Sequence, residues 1–264
     1  TLHAVAHALY SLGRVDECAV WLQEARPQLP ADISVFMRTH FEFHLALCLV
    51  DLENGTELSD LVREGGLWGK LQKQEKQDYW AATGPLNALW KAELRGMQVT
   101  ENSQDVLTEI FSELDASNVN VSVPGKSKVF SLCQLRWRLF LAKRQSPPMS
   151  TLSDQRASAG LPADVLDREG NDVLRAVVSA VEAVYGRDSN GADNSWSVAA
   201  GFLKPVLERL HELGASPEQR EVVEEFAAVA LAGAGEALLL GKWLEKNRRP
   251  NVNWYDRLCS SQEP

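Results

Sequence analysis

Apolar residues recur at helical spacing over the first sixty residues of this chain, and glycine or proline follows each run. Residues 2–12 place an apolar side chain at every third or fourth position, and Gly13 stands where a glycine ends a helix. A second run over 15–25 stops before Pro27. Two short helices joined by a tight turn form an antiparallel hairpin, so the pattern predicts a fold of helical hairpins.

A second hairpin follows the first. We expect Asp32 to cap a long helix that runs to about residue 52, because its side chain can accept a hydrogen bond from the first turn. The sequence ENG at 53–55 ends that helix, and a short helix over 58–63 comes next. Consecutive hairpins of this kind predict an array of stacked helix pairs.

The rest of the chain continues in helices, with loops between them. Five further helices are expected at 75–96, interrupted near Gly84 and Pro85, and at 128–144, 164–185, 196–213 and 217–246. Ser216 and Gln219 can form a capping box at the start of the last one. The sequence VNVSV at 119–123 is the exception, since it has the composition of a strand.

Residues 145–163 read as a linker, because proline, glycine and serine are concentrated there. We therefore expect residues 1–144 to form helical hairpin repeats and residues 164–264 to continue the same array. The predicted fold class is all-α, an α-solenoid of stacked antiparallel hairpins. In such arrays each hairpin contacts mainly its neighbours in sequence.

Charge and cysteine content exclude several classes of protein. The net charge of −9 argues against a nucleic-acid partner, because phosphate backbones require clustered lysine and arginine. No run of 18 apolar residues is present, so we expect no transmembrane segment. The four cysteines are scattered and form no C-x-x-C motif, which favours free thiols in the cytoplasm or another reducing, soluble compartment.

Four of the five histidines form two matching pairs, His3 with His7 and His40 with His44. Residues four apart on a helix project from the same face, and the two pairs lie 37 residues apart, close to the period of helical hairpin arrays. Two such pairs can hold a divalent transition metal, since imidazole is a common ligand of zinc, copper and nickel. Arg38 can add an anion-binding donor to the same inner face.

The metal interpretation is one of three, because the pairs lack the glutamate of an H-E-x-x-H helix. We favour the interpretation that the histidines are partly buried polar residues that bond to neighbouring helices or line a groove without a metal. One of them can also act as a general acid or base, because imidazole titrates near neutral pH. If the histidines are buried polar residues of this kind, the protein requires no cofactor.

Five segments resemble, in their order and spacing, the C-terminal portion of the tetratricopeptide repeat protein 38 family and its bacterial relatives. The segments are LHAVAHALYSLGR at 2–14, WLQEARP at 21–27, THFEFHLALCLVDLENG at 39–55, LNALWKAELRG at 86–96 and LHELGASPEQREVV at 210–223. The resemblance implies a tetratricopeptide-like helical superhelix. Together with a helical pattern that already runs at Leu2, it also implies that an N-terminal half of the protein precedes Thr1.

Two functions follow from these expectations. The first, which we favour, is a non-enzymatic tetratricopeptide-like scaffold whose concave face binds a peptide or a partner protein. The alternative is an enzyme, or a small-molecule or metal-binding protein, that uses a histidine-lined inner pocket. Convergence of the four histidines within a few ångströms would favour the alternative, and a broad open groove would favour the scaffold.

Overall fold

The computed structural model describes the chain in seven stretches: residues 2–63, 78–98, 104–116, 128–144, 151–186, 194–248 and 252–260. Every regular element in these stretches is helical, which confirms the predicted all-α class. The α-helices are α1 (Leu2–Ser11), α2 (Val15–Ala25), α3 (Val35–Asp51), α4 (Gly55–Arg63), α5 (Asp78–Leu94), α6 (Gln104–Ala116), α7 (Lys128–Arg144), α8 (Leu152–Ser158), α9 (Ala163–Leu166), α10 (Asp172–Tyr185), α11 (Ser195–Leu203), α12 (Pro217–Gly233), α13 (Ala237–Asn247) and α14 (Trp254–Ser260). Stacking of the hairpins as a solenoid stays a prediction.

The helices belong to two compact units. Unit 1 contains the described residues of Thr1–Leu114 and Trp243–Ser260, and unit 2 contains those of Asp115–Lys242. Unit 1 holds α1 to α5 and α14, and therefore both histidine pairs. Unit 2 holds α7 to α12.

The segment 145–163, predicted as a linker, is partly helical. Thr151 caps α8 by accepting a hydrogen bond from the backbone of Asp154, whose carboxylate in turn accepts one from the Thr151 backbone. Local capping thus forms a helix where composition indicated a loop. Residues 145–150 lie outside the described residues, and the division of the chain at this segment stays a prediction.

The first hairpin of unit 1 follows the sequence pattern closely. Gly13 adopts a left-handed φ of 70°, and the amide of Arg14 bonds back to the carbonyl of Leu9 at 3.0 Å, so α1 ends as predicted. In α3, however, the cap is Ser34 and not Asp32. The Ser34 hydroxyl accepts a hydrogen bond from the Met37 amide at 3.2 Å, and this shorter side chain begins the helix two residues later than expected.

Helix α5 is continuous, although the sequence predicted an interruption at Gly84 and Pro85. Proline removes one amide donor from a helix, and the remaining turns of α5 are held by packing against α3. A β-carbon on Gly84 would lie 3.4 Å from the Cβ of Phe43, which is ordinary van der Waals contact, so α5 lies directly against α3 at this point. Burial of this face outweighs the local preference for a break.

Three expected helices of the second half are each divided. The stretch 164–185 becomes α9 and α10, 196–213 becomes α11 and a 3₁₀-helix (Lys204–Leu213), and 217–246 becomes α12 and α13. Left-handed Gly235 directly follows the cap of α12 and causes the last division, because a residue with positive φ ends an α-helix. Left-handed Gly170 lies in the turn between α9 and α10. The predicted capping box of Ser216 and Gln219 is confirmed.

Besides α8, two helices were not expected from the sequence, α6 and α14. Helix α14 packs within unit 1, where Arg257 forms an ion pair with Glu53 and Trp254 lies under the guanidinium of Arg95. The strand-like sequence at 119–123 lies outside the described residues.

Candidate metal centre

The four paired histidines meet where α1 lies against α3. His3 and His7 stand one turn apart on α1, and His40 and His44 stand one turn apart on α3. His44 is fully buried, whereas the other three are half-buried. The ring of Phe43 lies beside the pair on α3, with its centroid 6.2 Å from that of His40 and 5.9 Å from that of His44. The cluster therefore has an apolar side and a side that solvent reaches.

The Nε2 atoms of the cluster form a chain of three close contacts. His7 Nε2 lies 3.0 Å from His3 Nε2, and His3 Nε2 lies 3.2 Å from His44 Nε2. His44 Nε2 lies 3.3 Å from His40 Nε2. One ring nitrogen of each histidine lies within 4.8 Å of those of the other three. The pairs that the 37-residue offset aligns thus meet in space.

Mutual hydrogen bonding satisfies this arrangement poorly. A ring nitrogen of neutral imidazole carries either one N–H or one lone pair, and either lies along a single direction in the plane of the ring. His3 Nε2 and His44 Nε2 each face two other ring nitrogens. One in-plane site cannot point at two neighbours with good geometry. A cation among the rings would accept one lone pair from each of them.

Electrostatics keep His44 in the form that binds metals. Burial, and to a smaller extent the neighbouring rings of His40, His7 and His3, together lower the pKa of His44 to about 2. His44 is therefore neutral at physiological pH, with a lone pair available and no proton to displace. Its Nδ1 atom is buried and has no hydrogen-bond partner among the described residues.

Arg38 and Glu42 lie on a different face of α3 from the histidines. A residue two positions from His40 is rotated by about 200° around the helix axis. Glu42 is buried, and its carboxylate forms an ion pair with the Arg26 Nε atom at 2.7 Å. Burial raises the pKa of Glu42, and the charges of Arg26 and exposed Arg38 oppose that rise. A role for Arg38 at the histidine cluster stays a prediction.

A buried ionic network continues the polar faces of α1 and α3 toward the C-terminal ends of the two helices. The ammonium of Lys91 donates to the Tyr10 hydroxyl at 2.9 Å and to Asp51 Oδ1 at 3.0 Å. Arg95 Nη1 lies 2.7 Å from the same carboxylate oxygen, and the three charged side chains are fully buried. The network joins α1, α3 and α5, so it fixes the two helices that carry the histidines.

Sequence reasoning missed this network, although a signal for it was present. Asp51 follows His44 by seven residues, and Tyr10 follows His3 by seven, so each extends its histidine face by two turns. Nothing in α5 marked Lys91 as buried, because its partners lie on other helices.

Two thiols also meet beside the cluster. Cys18 of α2 and Cys48 of α3 are fully buried and interact with each other, and the Cys18 thiol donates to the Ala6 carbonyl at 3.4 Å. The contact between the two thiols lowers the pKa of Cys18, and it raises the pKa of Cys48 together with burial. Cys48 lies one turn after His44 on α3, yet the group of residues placed to hold a metal consists, among the described residues, of the four histidines.

Comparisons of this chain with protein-family models, with curated proteins and with solved structures gave no match. The resemblance to the tetratricopeptide repeat protein 38 family, and the N-terminal half that it implies, therefore stay predictions. Among the described residues, no helix has both the length and the apolar character needed to cross a bilayer.

Proposed function

We propose that this chain is a metal-binding helical protein that holds one divalent transition-metal ion among His3, His7, His40 and His44. The observation that carries the proposal is the convergence of four Nε2 atoms at contacts of 3.0–3.3 Å. Neutral nitrogen ligands favour borderline ions such as zinc, copper and nickel over magnesium or calcium, which prefer oxygen. Of the two functions that the sequence left open, this convergence favours the ligand site.

The cluster is supported on rigid elements, as a metal site requires. Each pair of ligands projects from one helical face, so two of the ligand spacings are fixed by helix geometry alone. Tyr10 of α1 is tied to Lys91 of α5, and Asp51 of α3 is tied to the same lysine, which holds the two ligand-bearing helices together. Metal binding therefore needs little rearrangement of the backbone.

Metal analysis of the purified full chain tests the proposal. After treatment with a chelator and dialysis against zinc, the protein should retain one metal ion per chain. The double variant His7→Gln/His44→Gln should retain none, whereas His211→Gln, which removes the one histidine outside the cluster, should retain one. A wild-type chain that retains no metal, or a double variant that retains as much as the wild type, would overturn the proposal.

A second proposal keeps the function favoured by the sequence, a tetratricopeptide-like scaffold that binds a peptide or protein. Its support is the succession of hairpins α1–α2 and α3–α4, in which residues 37 apart come together as they do in stacked repeats. Selection from a random peptide library against the full chain would test it. Enrichment of a common motif supports a peptide groove, and selection without any motif counts against one.

A further inference from the structure

The arrangement of the four rings specifies the coordination of the ion, provided that the metal-binding function proposed above holds. Six distances connect four ring centroids, and here they are 4.3, 4.4, 4.7, 4.8, 5.1 and 6.2 Å. A square arrangement has two long diagonals among its six distances. In this cluster only the distance from His7 to His40 is long, so the rings surround a point in three dimensions.

Three of the six nitrogen separations lie near those of a tetrahedron, and the others, which are at most 4.8 Å, would shorten as the side chains close on an ion. Zinc lies about 2.0–2.1 Å from histidine nitrogen, and tetrahedral angles then place neighbouring nitrogens about 3.3–3.4 Å apart. The corresponding separation of neighbours around a square-planar ion is about 2.8–3.0 Å for the same bond length. Two of the three contacts, at 3.2 and 3.3 Å, lie near the tetrahedral value, and the third is 3.0 Å.

We infer that the ion is zinc, bound by four histidines in a closed tetrahedral shell that fastens α1 to α3. Zinc has no geometric preference from its d electrons and takes four ligands in closed structural sites. Catalytic zinc sites keep one position for water, with three protein ligands. With four imidazoles in place no position is left for a substrate, so the ion acts as a link between helices.

The link has a mechanical consequence for α1. Two of the ligands belong to α1 and two to α3, so α1 cannot leave α3 without breaking at least two metal–nitrogen bonds. An ion that binds only the docked arrangement should suppress opening of α1 by a factor of about 100 when free zinc is 100 times its dissociation constant. Helices of unit 2 contribute no ligand and should be unaffected.

Cobalt spectroscopy tests the closed shell. Chelator-treated full chain is titrated with Co²⁺ alone, which should bind once per chain and give the intense visible absorption of four-coordinate tetrahedral cobalt. One equivalent of zinc should then remove that absorption. A weak spectrum typical of six-coordinate cobalt, with binding of one ion intact, would overturn the closed shell and leave the proposed function standing. Absence of cobalt and zinc binding would overturn both.

Hydrogen exchange tests the link between the helices. With and without zinc, amide exchange is compared for α1 and for α10 of unit 2, and zinc should slow α1 about 100-fold at the stated excess while α10 stays unchanged. The control His211→Gln should behave as the wild type, and His7→Gln should lose the zinc effect on α1. If zinc binds and α1 exchanges at an unchanged rate, the ion does not fasten α1 to α3.

Discussion

The free energy of unfolding should fall as the pH drops below neutral, and His44 should account for a large part of this fall. Burial and its three neighbouring rings lower the pKa of His44 to about 2 in the folded protein. In the unfolded chain a histidine titrates near pH 6.5. Between these values the unfolded state holds one more proton, so stability is complete above about pH 6.5 and is lost as the pH falls.

The size of the loss follows from the same shift. Each pH unit within this window changes the free energy of unfolding by about 1.4 kcal/mol for one group. From pH 7.5 to 4.5 the metal-free protein should therefore lose about 2.7 kcal/mol through His44. The variant His44→Gln lacks the titrating group, so its stability should fall less steeply over this range by about that amount.

Urea unfolding at several pH values between 7.5 and 4.5, followed by tryptophan fluorescence in the presence of a chelator, measures the effect. Leu47→Ala serves as a control, because it removes a buried side chain of α3 and should lower the whole curve without changing its pH dependence. Equal pH slopes for the wild type and His44→Gln would refute the argument that a neutral, buried His44 sets this dependence.

Two further perturbations follow from the structure. Asp51→Asn removes the carboxylate that pairs with Lys91 and a second buried cation, and should lower the free energy of unfolding by about 3–5 kcal/mol in urea denaturation; a loss below 1 kcal/mol would contradict a buried ionic network. Gly233→Ala places a β-carbon 2.8 Å from the Cβ of Trp196 and should cost about 1–3 kcal/mol. Gly201→Ala is the matched control, since open space surrounds that position and alanine favours a helix, so a gain of about 0.5–1 kcal/mol is expected. If Gly233→Ala and Gly201→Ala change the midpoint of thermal unfolding to a similar extent, the close approach of Trp196 to position 233 does not destabilise the variant.

The first hairpin and the histidine cluster could be predicted because their signals are local and repeated. Gly13 and Pro27 mark the ends of short helices without reference to the rest of the fold. The offset of 37 residues between the histidine pairs places equivalent faces side by side once hairpins stack. Two periodicities, one of the helix and one of the repeat, were therefore sufficient to bring four side chains from α1 and α3 together.

The remaining features depend on contacts between distant residues. Pro85 is a local signal for a break, and only packing of α5 against Phe43 and its neighbours on α3 keeps that helix continuous. Lys91 resembles a solvated surface residue until its partners Tyr10 and Asp51, 81 and 40 residues away, are brought to it. Burial of charge is a property of the assembled unit, so no pattern within α5 could reveal it.

X-ray absorption at the zinc edge is the most direct test of the central claim, that four histidines bind one metal ion between α1 and α3. The measurement uses the full chain loaded with one equivalent of zinc and counts the atoms bound to the ion. We expect four imidazole nitrogens at about 2.0 Å, with no sulfur and no water ligand. A shell of five or six nitrogen and oxygen atoms, or one that includes sulfur from the neighbouring thiols, would contradict it.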